Sequence, residues 1–101
     1  MEKLNGVKIT RKLIREGMPD NSEACPIARA ITRRVGMPTR VNKSMTMIVQ
    51  EGEGESIWIK HTPELTDWIN QFDQNGSGWG APEPIILELS AGGYLGIKEG
   101  W

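Results

Sequence analysis

Residues 22–38 read SEACPIARAITRRVGMP, and this stretch decides the fold class. Proline is favoured at the first position of a helix, where its missing N–H would be unpaired anyway. The spacing therefore predicts a helix over 26–35, with Cys25 at or beside the N-cap. Ile27, Ala30, Ile31 and Val35 recur at helical spacing and form one apolar stripe. Arg29 and Arg33, four residues apart, share a polar side. Arg33 and Arg34 fall in the last turn, where cations suit the negative end of the helix dipole. Gly36 supplies a left-handed stop and Pro38 prevents continuation.

A second helix is announced the same way. Thr62-Pro63-Glu64 combines an N-cap, a first-position proline and an acidic first turn. Leu65, Trp68, Ile69 and Phe72 follow at i, i+3, i+4 and i+7. Asn75-Gly76 ends the run. Between the helices, residues 40–50 read as one strand with Val41, Lys43, Met45, Met47 and Val49 on the inner face. Glu51-Gly52-Glu53-Gly54-Glu55 is an acidic turn leading to a hairpin partner over 56–60, in which Trp58 faces away from Ile57 and Ile59. Upstream, Val7-Lys8-Ile9 reads as a first strand. Thr10 caps a short helical turn over 11–16, which Gly17 ends. Downstream, Ile85 to Leu89 suits a central strand, and residues 94–97 suit a last edge strand. The expectation is one α+β domain over residues 1–101. A small, mostly antiparallel sheet of four to five strands carries two main helices on one face, and residues 90–101 form an extension or edge strand.

Composition narrows the function classes. The 101 residues suit a single domain of marginal stability, which self-association would raise. The net charge of −1 lacks the basic excess common in general nucleic-acid binders, although a local basic face remains compatible with it. One cysteine excludes an internal disulfide and a Cys-rich zinc site. No signal-like segment and no span of about 18 apolar residues is present, so a cytoplasmic protein without membrane contact is expected.

No catalytic triad, metal site or nucleotide fingerprint is present in the sequence. Cys25 at a helix start invites a thiolate reading, but the single histidine, His61, has no sequence relation that makes it a base for Cys25. Helix-starting chemistry is the simpler reading, and no catalytic residue, metal or cofactor is assigned. Arg29, Arg33, Arg34 and Arg40 are four guanidinium groups within twelve residues, suited to bidentate contact with phosphate or carboxylate. Trp58, Trp79 and Trp101 lack the helical spacing that makes Trp68 core, and Trp79 lies in the glycine-rich NGSGWGAPEP. With Tyr94, these rings complete the candidate binding set, because aromatics and arginine concentrate at binding hot spots.

ITRKLIREG, ACPIARAI, TPELTDWINQFD and PEPIILEL together resemble a group of small uncharacterised proteins from bacteriophages and prophages. That group shares a CP(I/V)A helix, a helix ending near FD and a proline-led apolar strand. The resemblance covers most of the chain and implies a phage origin and the α+β order above. It brings no activity or functional residue with it, and the Gly/Trp-rich segment after Leu89 departs from its pattern. The expected function is a non-catalytic accessory protein that binds and inhibits a host component, such as a defence or regulatory protein. Alternatives are a sponge holding a nucleotide signal between arginines and aromatic rings, and a nucleic-acid binder using the arginine helix face.

Overall fold

A computed structural model describes residues 2–50 and 54–98. The chain is α+β. Its strands are β1 (Lys8–Ile9), β2 (Thr39–Val41), β3 (Met45–Ile48), β4 (Ile57–Lys60), β5 (Ile85–Leu89) and β6 (Leu95–Ile97). Its helices are α1 (Arg11–Glu16), α2 (Pro26–Val35) and α3 (Pro63–Asn75).

The expected helix starts are built from the expected atoms. The Thr10 hydroxyl accepts from the Leu13 N–H at 3.2 Å, and the Thr62 hydroxyl accepts from Leu65 at 3.3 Å. Cys25 is the N-cap of α2, its sulfur accepting from the Ala28 N–H at 3.4 Å. Gly36 takes the left-handed conformation (φ 73°) and donates its N–H to the Thr32 carbonyl. Gly17 works differently. Its φ of −72° is open to any residue, so glycine is needed there for space: a Cβ would lie 2.6 Å from the Pro26 ring.

The sheet departs from the expected single layer. Two antiparallel sheets of three strands form, in the orders β1-β5-β6 and β2-β3-β4. Among the described residues, their one link is a parallel bridge between His61 and Leu95, where the Thr62 N–H donates to the Leu95 carbonyl at 2.9 Å. Helix α2 packs on β1 of one sheet and β2 of the other, and α3 packs on β6. Ile27, Ile31, Leu65, Phe72, Leu87 and Leu95 meet in the shared core. Val35 of the α2 stripe is half-buried against it.

The single strand expected over 40–50 is a hairpin. Asn42 breaks it, its side-chain oxygen accepting from the N–H groups of Ser44 (2.9 Å) and Met45 (2.7 Å). Such asparagine-held turns compete with extended pairing. Val41 then stands opposite Thr46, so the inward face of β3 belongs to Thr46 and Ile48, both fully buried. Met45 and Met47, expected inside, lie on the outer face and are only half-buried. Thr46 is tolerated in the core because its hydroxyl has a partner, the His61 ring.

Candidate functional site

The eight candidate residues fall into separate places. On the β2-β3-β4 sheet, Arg40 is paired with Met47, and Met47 with Trp58. Residues directly opposite one another in a sheet point to the same face. One row therefore crosses all three strands: Arg40, Met47, Trp58. Arg40 and Trp58 are two strand spacings apart, roughly 10 Å. The next row places Met45 beside Lys60. Trp58 is 58% exposed, so much of its ring is open to solvent. Arg40 reaches Glu23 at 3.3 Å, with both side chains well exposed. An ion pair of that kind contributes at most about 1 kcal/mol, so Arg40 remains available to a partner.

The α2 arginines lie elsewhere. Arg33 and Arg34 line a cleft of about 460 Å³ with Lys8, Leu13 and Ala30. Arg34 donates to the carbonyls of Lys3 and Gly6, and Arg29 donates to the Glu16 carbonyl at 2.8 Å, clipping α2 to the end of α1. Tyr94, 45% exposed, borders a third groove with Glu64, Glu88 and Lys98. Trp79 is fully exposed in the loop after α3, which Gln71 and Asn75 hold by donating to the Gly80 carbonyl. Trp101 lies outside the described residues. Among the described residues, none of these four clefts joins an arginine to an aromatic ring.

The two groups with chemical reactivity are both withdrawn. Cys25 is 6% exposed, at the wall of a cleft of about 410 Å³ that also holds Asp20, Lys43 and Asp73. Burial raises its pKa, outweighing the lowering by the N–H groups of Ala28 and Ile27. The thiol is protonated at neutral pH, and the thiolate is the nucleophile. Ellman's reagent is therefore expected to label Cys25 at least tenfold more slowly in the folded protein than in the denatured chain. Equal rates would contradict the burial.

His61 is 7% exposed and acts as a strut. Its Nδ1 lies 3.1 Å from the Lys43 carbonyl and its Nε2 lies 2.6 Å from the Thr46 hydroxyl. A carbonyl only accepts, so Nδ1 carries the proton and Nε2 accepts from Thr46. Burial lowers the ring's pKa below 6.5, against a smaller raising effect of the Lys43 carbonyl. The unfolded chain then takes up its proton at higher pH than the native state. The stabilisation is complete above pH 6.5 and is lost as pH falls below it. Melting temperature is expected to fall between pH 6.5 and 5.5, above the ordinary carboxylate range. In His61→Gln that slope should flatten; an unchanged slope would place its origin in other groups.

Comparison with family models, curated proteins and solved structures gave no match.

Sequence reasoning missed that Arg40 and Trp58 share one sheet face, which depends on the register of three strands. The Asn42-Lys43-Ser44 turn was the signal that could have revealed it.

Proposed function

We propose that this protein is a non-catalytic binding protein whose partner is another protein, engaged through the outer face of the β2-β3-β4 sheet. The observation carrying this reading is the row Arg40–Met47–Trp58 on a face with no helix over Trp58. Aromatic residues, methionine and arginine are the types enriched in protein interfaces, and tryptophan and arginine dominate their hot spots. The withdrawn Cys25 and His61 fit a role without chemistry. The resemblance to phage proteins makes a host defence or regulatory protein the favoured partner, and inhibition its consequence.

Tagged protein mixed with extract of the native host should retain a partner. Trp58→Ala should weaken that partner about 30-fold, the effect of a hot spot worth 2 kcal/mol. Trp58 is exposed, so the variant should keep the parent's melting temperature. Retention unaffected by Trp58→Ala would remove this face from the interaction.

The nucleotide-sequestering alternative needs an arginine and a ring around one ligand. Arg33 and Arg34 line one cleft and Tyr94 another, so the arrangement supports it less well.

A further inference from the structure

Charge is segregated along the chain. Nine of the twelve lysines and arginines lie in the first 40 residues, against four of the thirteen acids. The remainder is correspondingly acidic, so a net charge of −1 conceals two oppositely charged parts of the sequence. Structure concentrates part of this excess in one place. Among the described residues, the cleft between β1, α1 and α2 is bordered by Lys8, Arg33 and Arg34 and by no carboxylate. Each of the other three main clefts has at least one: Asp20 and Asp73, Glu64 and Glu88, or Glu23.

The basic groups are also uncommitted. Among the described residues, the ion pairs are Arg11–Glu83 and Arg40–Glu23, and neither involves Lys8, Arg33 or Arg34. Arg34 spends two of its five N–H donors on the Lys3 and Gly6 carbonyls and keeps three. Arg29 continues the same α2 side one turn away from Arg33.

We infer that this cleft binds the phosphate backbone of a nucleic-acid duplex, at a surface separate from the Trp58 face. Guanidinium groups grip phosphate bidentately. The apolar wall residues Val7, Leu13 and Ala30 are themselves buried, so the cleft offers charge with little apolar area. That favours phosphate over a protein partner, whose interface needs an apolar centre. Among the described residues no ring lines the cleft to stack on a base, and binding is expected to depend little on sequence.

Fluorescence anisotropy with a labelled 20-base-pair DNA duplex tests this. Binding is expected in 20 mM salt and should be lost progressively toward 200 mM. Three or four neutralised phosphates give a slope of about −3 in log affinity against log salt. Lys8→Glu with Arg33→Glu should weaken binding at least tenfold, and Trp58→Ala should leave it unchanged. Both altered side chains are exposed, and circular dichroism checks the fold; Lys8→Gln with Arg33→Gln is the milder pair should the first fail to fold. Absence of binding at 20 mM salt overturns the inference, as does binding indifferent to these charges. So does equal or tighter binding to poly-glutamate or phosphatidylserine vesicles, which would assign the cleft to acidic proteins or membranes.

Discussion

Phe72→Ala is expected to destabilise the protein by about 3–5 kcal/mol, the range for emptying a buried aromatic site. Phe72 is 1% exposed on α3, and its ring stacks on Trp68 with centroids 6.1 Å apart. Trp68 is fixed at its far end, its indole N–H donating to the Glu83 carbonyl at 2.8 Å. The tryptophan therefore cannot collapse into the space without giving up that bond. A domain of this size has a total stability of roughly 5–15 kcal/mol, so one substitution removes a large share. At about 4–8 °C per kcal/mol, melting should fall by more than 10 °C. Phe72→Leu, which leaves a smaller void, should cost much less. A loss under 1 kcal/mol for Phe72→Ala in urea unfolding would mean that α3 is not packed as described.

Gly17→Ala is expected to cost about 3 kcal/mol, at the upper end for a forced overlap in a packed region. The added Cβ would lie 2.6 and 2.7 Å from two carbons of the Pro26 ring and 2.8 Å from its nitrogen. Alanine is at ease at φ −72° and ψ 157°, so the penalty comes from the overlap and none from backbone strain. The closed Pro26 ring cannot swing aside, and relief requires α1 and α2 to separate. Pro26→Ala in the same chain removes two of the three close atoms. The double variant should therefore be more stable than the two separate losses predict, a coupling that a double-mutant cycle measures. Strict additivity would contradict the overlap.

These two sites also mark what sequence alone could yield. The limits of α2 were legible because Cys25-Pro26 and Gly36-Met37-Pro38 are local signals acting within one or two turns. Thr62-Pro63 set the start of α3 equally well, and the spacing from Leu65 to Phe72 found its buried side. Gly17 was correctly read as a helix end, but its reason is a contact with Pro26, nine residues on. Division into two sheets was not legible. Lys8 pairs with Ile86 across most of the chain, and nothing local encodes that choice. Misreading of β3 followed from counting through Asn42, where a side chain ends the strand and the hairpin brings Thr46 opposite Val41. Residue type alone marks arginines and aromatic rings as candidates, and type does not reveal company. Arg40 shares a face with Trp58 through the register of β2, β3 and β4, whereas Arg33 and Arg34 line a cleft with Lys8, and Trp79 stands fully exposed.

Site-specific photo-cross-linking tests the central claim, that the outer face of β2-β3-β4 is where a partner protein docks. A photoreactive amino acid is placed at Met47, inside the row, or at Glu88, beside the Tyr94 groove, and the protein is irradiated in extract of the cells that express it. One discrete adduct is expected from position 47, absent from position 88 and lost when Trp58 is also changed to Ala. No adduct from position 47, or the same adducts from both positions, would contradict it.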